Sequence, residues 1–301
     1  MGDRLRHRLE ILAAAVLWST AGAAIKRCGL TGWQIAGGRS LVAALFLFLA
    51  VPGSRRRPTR AVLLTALAYA FTVVLFVNAT KLTTAANAIF IQDTAPLWVL
   101  LLSPWLLRER PTRGELLAIP VYAAGLGLFF LDELRGGMLL GNLVALASGL
   151  AFALNIVGLR TLREQAPAAL VWGNLVAALL ALPFALAGPA PSTVDLTLVG
   201  YLGVFQLGLS YLLFSRGLMG TPAVEASLLA LLEPVLNPIW TFLATGERPG
   251  PWALAGGAVV LAATVWRTVA PALAARRYAR RLGAANGQQP PGRSPRGTDP
   301  G

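Results

Sequence analysis

The sequence predicts an all-α integral membrane protein of about ten transmembrane helices, arranged as two inverted five-helix repeats. Three observations point to this fold class. Hydrophobic residues make up 56% of the 301 residues and charged residues 13%, whereas ordinary globular domains contain about 25% charged residues. Apolar stretches of about 20 residues, the length that crosses a bilayer, follow one another almost end to end. The same short motifs also occur twice at one fixed spacing.

Ten apolar stretches lie between charged or Pro/Gly-rich breaks, and we interpret each as a transmembrane span. The connectors are short, so most polar chemistry must come from the helices themselves. The first stretch is long and is followed by Lys26 and Arg27 instead of a small-residue cleavage site, which favours a first helix over a cleavable signal peptide. The predicted spans are 9–26, 33–51, 61–80, 85–106, 114–131, 138–159, 168–187, 196–215, 222–244 and 252–270.

The distribution of Lys and Arg predicts the orientation in the membrane. When the loops are assigned alternately to two sides, one side collects most of the basic residues, including the clusters at 55–60 and 108–113 and the Arg-rich tail. The other side has only Lys26, Arg27, Lys81, Arg135 and Arg248. Because positive residues stay in the cytoplasm, both termini are expected there, with the chain in the plasma membrane (the inner membrane of a bacterium).

Composition also excludes several kinds of partner. The net charge of +13 could indicate nucleic-acid binding, but the basic residues form short clusters between apolar segments and no continuous basic face. We therefore predict contact with membrane lipid and no nucleic-acid partner. Cys28 and His7 are the only Cys and His, so neither a metal site nor a cofactor is expected. The sequence does not specify an oligomeric state.

The two halves of the chain share motifs. A shift of about 138 residues places Glu109-Arg110-Pro111 on Glu247-Arg248-Pro249, and Pro96 on Pro234. A five-helix unit begins and ends on opposite sides of the membrane, so two consecutive copies have inverted topology. We predict a first repeat over 9–131, a second repeat over 138–270, and a basic, Gly/Pro-rich cytoplasmic tail over 271–301 that is disordered.

Each half also carries its own set of characteristic residues. The first half has Trp18-Ser19, Arg39, ATKLTTAANAIFIQDTAP ending at Pro96, Arg108-Glu109-Arg110 and Gly125; the second has VEASLLALLEPVLNP, Thr245-Gly246-Glu247-Arg248 and Gly256-Gly257. With these residues each half resembles an EamA domain of the drug/metabolite transporter superfamily, over about residues 9 to 270. The sequence departs from that pattern at Asp93, an acidic residue where relatives are often apolar.

The resemblance implies a secondary transporter that moves a small metabolite by alternating access through a central cavity. It favours export of an amino acid or related compound, with a carrier of drugs or lipid-linked compounds as the alternative. A membrane-embedded enzyme acting on lipid is disfavoured because no paired His, G-x-S-x-G elbow, Cys nucleophile or phosphate-binding Gly-rich loop occurs in a suitable place. No catalytic residue is therefore predicted. A sensor that signals through its basic tail is a third interpretation, although the tail has no folded output module.

Acidic residues inside predicted spans are the first candidates for a functional site. A charge at mid-bilayer costs about 2.5–3.5 kcal/mol on insertion scales, and Asp93, Glu225 and Glu233 fall inside spans. We predict Asp93 and Glu233 to bind substrate and to couple transport to protons, since a carboxyl group can bind and release a proton in each cycle. The alternative is structural: each acid could pair with Arg39 or a neighbouring backbone group, and Glu225 could complement a helix dipole.

Arg39 and two prolines are the gating candidates, together with the acids Asp93 and Glu233. Arg39 is the only basic residue well inside a span and needs a counter-charge, such as Asp93 or an acidic group of a substrate. Pro96 and Pro234 leave carbonyls unpaired at corresponding positions of the two halves, where broken helices point to a binding site. A proline kink that serves packing alone is the other interpretation, and the resemblance favours a bracing or gating role for Arg39.

Further polar and aromatic side chains inside the spans complete the candidate substrate-binding site. The amides could bind a substrate or bridge helices, a contact worth about 0.6 kcal/mol in membranes. The aromatic rings could line an apolar part of the cavity or pack in the core. These candidates are Trp18, Asn78, Asn87, Gln92, Asn155, Gln206, Tyr211 and Asn237.

Overall fold

Almost all of the described residues are helical. The computed structural model describes residues 2–106, 113–131, 138–220, 229–230, 232–263 and 265–266, and no β-strand occurs among them. We label the helices in chain order as α1 (Gly2–Ser19), α2 (Ala21–Arg27), α3 (Gly32–Ala50), α4 (Arg60–Leu82), α5 (Ala85–Gln92), α6 (Ala95–Leu106), α7 (Arg113–Leu131), α8 (Leu139–Leu162), α9 (Ala166–Leu186), α10 (Thr193–Tyr201), α11 (Ser210–Gly220), α12 (Leu232–Thr245) and α13 (Pro251–Ala263). A π-helix, Leu202–Leu209, joins α10 to α11.

Six helical stretches in the described part of the chain are long and apolar enough to cross a membrane. They are Leu5–Arg27, Gly32–Ala50, Arg60–Leu82, Leu139–Leu159, Ala166–Leu186 and Thr193–Phe214. Ile119–Leu128 and Pro251–Ala263 are apolar but shorter. Each of the ten predicted spans is largely helical wherever the structure describes it. The all-helical membrane architecture is therefore observed, and the count of ten crossings stays a prediction.

Four stretches that carried sequence predictions lie outside the described residues. They are 107–112, which contains Glu109-Arg110-Pro111, 132–137, which contains Arg135, 221–228, which contains Glu225, and the predicted tail 271–301.

Hydroxyl side chains start four of the helices. Thr31, Thr59, Thr84 and Ser192 each precede a helix and accept a hydrogen bond from a backbone N–H of its first turn. Such N-caps satisfy donors that a helix leaves unpaired at its start. The donors are the N–H groups of Gln34, Val62, Asn87 and Asp195, respectively. These caps fix where each helix begins at the ends of the bundle.

The first predicted span is divided at Thr20 into α1 and α2. The hydroxyl of Ser19 donates to the carbonyl of Val16, and that of Thr20 to the carbonyl of Leu17, each at 2.7 Å. Hydroxyl groups that bond to the preceding turn compete with the helical ladder and bend helices. The hydropathy pattern predicts one uninterrupted span over 9–26, and the break at Thr20 departs from that prediction.

The fourth predicted span is divided at Asp93 and Thr94 into α5 and α6. Pro96 is the second residue of α6, a position that suits proline because its missing N–H would have no helical partner there. The backbone N–H and the hydroxyl of Thr94 both donate to the carbonyl of Ile91, at 3.2 Å and 2.6 Å. The predicted disturbance of the turn before Pro96 matches this break.

Helix α4 lies at the centre of the packing. It packs against α8 and α9, while α3 packs against α9 and the π-helix, and α1 packs against α11 and α12. Glycines allow the closest approaches: a Cβ on Gly141 of α8 would meet backbone atoms of Leu82 and Thr83 at 2.6 and 2.7 Å. The N-terminal and C-terminal halves of the chain therefore interlock, and the space between them holds the site described below.

The outer surface of the bundle is apolar. Leu64, Leu179 and Leu243 are 69%, 68% and 68% exposed, and many other large hydrophobic side chains point outwards. A soluble monomer rarely exposes extended apolar patches. This surface fits contact with lipid tails, as the composition predicted.

Candidate functional site

A small cavity lies between helices from both halves of the chain. It holds about 60 Å³ of space that water can reach. Its walls come from α1, α3, α4, α5 and α12, with contributions from α8, the π-helix and α11. The lining residues are Trp18, Arg39, Thr72, Val73, Phe76, Gln92, Asp93, Phe152, Gln206, Leu207, Tyr211 and Glu233.

The cavity brings together many of the residues singled out in the sequence, which are scattered over more than 200 positions of the chain. The lining includes the one basic residue predicted within a span and both acids proposed for proton coupling. It also includes two of the predicted amides and two of the predicted aromatic residues. These residues are Trp18, Arg39, Gln92, Asp93, Gln206, Tyr211 and Glu233.

Arg39 is nearly inaccessible to solvent, with 1% of its surface exposed. Its Nη1 donates to Oε1 of Gln206 at 2.9 Å, and its Nη2 donates to the backbone carbonyl of Val73 at 3.1 Å. These contacts join α3 to the π-helix and to α4, as expected for a brace. Its Nε has no hydrogen-bond partner, and no carboxylate of the described residues forms an ion pair with it.

Asp93 and Glu233 line the cavity from the end of α5 and the start of α12. Asp93 follows the last residue of α5, and Glu233 is the second residue of α12. Both side chains line the same cavity as Tyr211 and Arg39. Oδ2 of Asp93 is buried without a hydrogen-bond partner. The cavity thus carries a cation on one part of its wall and two acids on another, with no direct ion pair between them.

Gln92 is held in place by a short chain of hydrogen bonds. Its Nε2 donates to the hydroxyl of Ser148 at 2.7 Å, and that hydroxyl donates to the backbone carbonyl of Thr72 at 3.0 Å. The chain links α5 to α8 and α4. The carbonyl oxygen of the Gln92 side chain remains available to accept a hydrogen bond from a ligand.

Aromatic rings form one side of the cavity. The ring centroid of Trp18 lies 5.1 Å from that of Tyr211 and 5.0 Å from that of Phe214. Tyr211 also contacts Tyr69, at 5.6 Å between centroids. Edge-to-face and tilted contacts of this kind hold the rings in fixed positions. They give the charged cavity a rigid apolar wall.

Four of the predicted binding residues lie outside the cavity lining. Nδ2 of Asn78 donates to the carbonyl of Val74 at 2.9 Å, and Nδ2 of Asn87 makes longer contacts, up to 3.4 Å, near the start of α5. Asn155 and Asn237 are fully buried, and their amide atoms have no hydrogen-bond partner. The structure therefore places Asn78 and Asn87 in contacts between or within helices, and a substrate role for all four stays a prediction.

The two candidate gating prolines flank the cavity. Pro96 follows the turn that contains Asp93, and Pro234 is buried directly after Glu233. Each proline therefore lies beside one of the two cavity acids. Their part in bending the helices stays a prediction.

Five lining residues were not identified from the sequence: Thr72, Val73, Phe76, Phe152 and Leu207. Three of them lie on one side of α4, with Phe76 about one turn after the adjacent Thr72 and Val73. Their types are ordinary for a buried transmembrane helix, so the only available signal was the polar Thr72. Which face of α4 turns towards the cavity is decided by its packing against α8 and α9.

Comparison with known proteins identifies the family. The EamA-like transporter family matches residues 9–131 and, a second time, residues 139–268. The chain belongs to the EamA-like transporter family. An uncharacterized transporter of Archaeoglobus fulgidus is 31% identical over 269 residues, which cover 85% of this chain and 95% of that protein. The uncharacterized transporter YwfM of Bacillus subtilis is 28% identical over 283 residues, covering 88% and 94%.

A solved structure shares the fold of this EamA protein. It is a crystal structure with a TM-score of 0.61 that covers 87% of this chain and 96% of the other, at 19% sequence identity. At that identity the likeness concerns the fold alone. The resemblance to the EamA family drawn from the sequence is confirmed, and the protein is a multi-pass membrane transporter of a small molecule.

Proposed function

We propose that this protein is a secondary transporter that exports an amino acid or a closely related small metabolite across the plasma membrane by alternating access. The observation that carries the proposal is the central cavity, in which the three charged side chains of Arg39, Asp93 and Glu233 lie together inside a largely apolar bundle. Charged residues at such a depth are expensive and are retained where they serve a substrate or ion pathway. Membership of the EamA-like family identifies the protein as a transporter, and the charged residues of the cavity support an amino acid as its substrate.

The charges of the cavity suit a molecule that carries charges of both signs. Arg39 has hydrogen-bonding capacity beyond its two protein partners and would bind a carboxylate, for which a guanidinium is a favoured partner. Asp93 and Glu233 would accept hydrogen bonds from an ammonium group. An amino acid has both groups close together, which is why we favour it over an uncharged drug or a lipid-linked compound.

The size of the cavity supports a small substrate. A buried water needs about 10–15 Å³ of such space, so about 60 Å³ accommodates about four to six water molecules. A drug-sized or lipid-linked compound would require a larger opening of the bundle. A small amino acid requires a much smaller opening of the bundle.

The division of the chain into halves supports alternating access. The two family matches follow one another, each over about half of the chain, and the cavity wall draws on both. In transporters with inverted repeats the substrate site lies near the bilayer midplane between the repeats. We propose that residues 9–131 and 138–270 are such inverted repeats and that the cavity opens in turn to the two sides.

The proposal is tested by flux through purified protein in liposomes. The assay measures uptake and efflux of a pool of radiolabelled L-amino acids. We expect saturable flux that is lost in Glu233→Gln, because the cavity then lacks one of its two acids. Glu164→Gln is the matched control: Glu164 has an 88% exposed side chain outside the cavity, so the same change there should preserve flux. Folded protein without flux for the whole pool would contradict amino-acid transport.

Proton coupling is tested in the same liposomes. We expect an imposed pH gradient to drive transport by the parent protein, with Asp93→Asn and Glu233→Gln each removing that dependence because neither amide can carry a proton. Initial rates with and without the gradient measure the effect. Comparable gradient-driven rates in both variants, or no gradient dependence in the parent protein, would rule out coupling through these acids.

A further inference from the structure

Three short helices connect the cavity to one end of the bundle. Helix α2 begins three residues after Trp18 and ends at Arg27; α5 ends beside Asp93 and begins at Ala85; α12 carries Glu233 near its start and ends at Thr245. Each therefore has a cavity residue near one terminus and its other terminus at the same end of the bundle. The charge distribution predicts that end to lie outside the cell.

A partly buried ion pair joins the ends of these three helices that lie away from the cavity. Nζ of Lys26 lies 2.8 Å from Oε2 of Glu247, and the two side chains are 19% and 23% exposed. Nζ of Lys26 also donates to the carbonyl of Thr83 at 2.7 Å, and the N–H of Ala85 donates to Oε1 of Glu247 at 2.7 Å. We call these four residues the Lys26–Glu247 latch. It joins the loop after α12 to α2 and to the start of α5.

Both oxygens of Glu247 are used in this latch. One pairs with the ammonium group, and the other accepts from the first N–H of α5, a donor that has no partner within its own helix. Both side chains are partly exposed. A surface ion pair contributes little to stability, and a fully buried pair costs more to desolvate, so the energetics of this pair are intermediate. An interaction of this kind can hold a contact closed and can still be broken reversibly.

The space between the latch and the cavity is tightly packed. A Cβ on Gly22 of α2 would overlap Oδ1 of Asn237 and would lie 2.7 Å from Oγ1 of Thr241 on α12. Closer to the cavity, Nε1 of Trp240 donates to the hydroxyl of Ser19 at 3.0 Å. Successive contacts between α1–α2 and α12 thus fill the space between these helices on the side of the latch.

Among the described residues, the opposite end shows no equivalent of this pair. The shift of about 138 residues that relates the halves places Lys26 on Glu164 and Glu247 on Glu109. Two carboxylates occupy the related positions, and they cannot form an ion pair with each other. Glu164 instead lies 3.9 Å from Arg56, and both side chains are largely exposed. In the part of the chain that the structure describes, such a pair is therefore found at one end only.

From these contacts we propose that the Lys26–Glu247 latch closes the cavity at this end and breaks in each transport cycle to let the substrate pass. Because α2, α5 and α12 run from the latch to Trp18, Asp93 and Glu233, rearrangement around a bound substrate is transmitted directly to the latch. The proposal rests on the alternating-access function and adds the element that controls one of its two openings.

The experiment measures how fast a cavity residue reacts with an external reagent. Phe76, which lines the cavity, is replaced by Cys in a Cys28→Ser background, and a small, charged, membrane-impermeant methanethiosulfonate is added to intact cells, so that it reaches the protein only from outside. Lys26→Gln and Glu247→Gln should each raise the labelling rate about fivefold or more, a typical size for a conformational coupling. Lys26→Arg keeps the charge and should label as slowly as the parent.

Glu164→Gln is the matched control, because it removes a carboxylate from the related position at the opposite end. It should leave the labelling rate unchanged. Equal rates in the parent and in both latch-breaking variants would overturn the proposal, as would an equal increase in Glu164→Gln. If the Phe76→Cys protein does not fold, Leu207→Cys provides a second reporter in the cavity lining. The test needs no substrate, so its failure and a failure of the flux assay are distinguishable.

Discussion

A single buried side chain, Arg39, connects three elements around the cavity. We expect Arg39→Lys to lower the transport rate more than tenfold, because an ammonium group cannot reproduce the planar guanidinium that reaches both Gln206 and Val73. Arg39→Gln should in addition lower stability by about 1–3 kcal/mol, the cost of leaving a buried polar partner unsatisfied. Flux and thermal unfolding of the purified variants measure the two effects. Full activity in Arg39→Lys would show that only the positive charge matters.

Cys28 lies in the connection between α2 and α3, and its thiol donates to Oδ1 of Asp195 at 3.4 Å. Burial raises the pKa of this thiol, and the adjacent Asp195 carboxylate raises it further. The neutral thiol is therefore favoured in the folded protein, so this contribution to stability is complete below the pKa of an unfolded thiol and is lost as the pH rises through the folded pKa.

We expect alkylation of Cys28 to be slow and to reach its half-maximal rate at a higher pH than in a free peptide, because the thiolate is the reactive form. Asp195→Asn should speed the reaction and move its midpoint to lower pH. The pH dependence of iodoacetamide labelling measures both effects. A midpoint equal to that of a peptide thiol would contradict the assigned environment.

At the scale of the helices, glycines set how closely α4 and α8 approach each other. Gly141→Ala should lower stability by about 1–3 kcal/mol, because its methyl group would overlap the backbone of Leu82 and Thr83, which cannot move aside as a flexible side chain could. Gly127→Ala on α7 is the control, since no atom lies within 4 Å of its added Cβ. It should be neutral or stabilise by up to about 1 kcal/mol. Thermal melting in one detergent compares the two variants.

The π-helix is the element that departs most from the predicted symmetry of the halves. The shift between the halves places Leu202–Leu209 on residues 64–71, which are regular α-helix within α4. The wider turn positions Gln206 and Leu207 in the cavity wall, and Gln206 receives the hydrogen bond from Arg39. π-helical turns of this kind are frequent at functional sites. The related element in the first half has no such turn, so the two sides of the cavity differ.

For the whole molecule, the orientation in the membrane is open to a direct test. Arg57 and Ala190 are both exposed in connections between helices, and the charge distribution predicts them to lie on opposite sides. In a Cys28→Ser background, an impermeant maleimide added to intact cells should label Ala190→Cys and leave Arg57→Cys unlabelled until the membrane is permeabilised. The reverse pattern would place the termini outside the cytoplasm.

Much of the site could be predicted because membrane-embedded polar residues are rare and costly. Arg39, Asp93 and Glu233 stand out from an apolar background, and all three line the cavity. The same reasoning did not separate Gln92 and Gln206, which line it, from Asn78 and Asn87, which do not. Those amides lie on helix faces that turn either towards the cavity or away from it. Which face turns towards the cavity depends on packing between helices that are distant in sequence.

The membrane environment of this protein, its helical class, its family and the disturbed turn before Pro96 could all be predicted from the sequence, because hydropathy, span length and backbone chemistry are local properties. The tertiary structure alone decided that α1 breaks at Thr20, that Arg39 bonds to Gln206 without a carboxylate partner, and that Lys26 meets Glu247. The last two depend on groups brought together over long sequence separations, 167 residues for Arg39 and Gln206, whereas the break at Thr20 follows from hydroxyl bonds to the preceding turn that the local sequence permits without requiring. Local patterns predict elements, and only their packing determines which side chains meet.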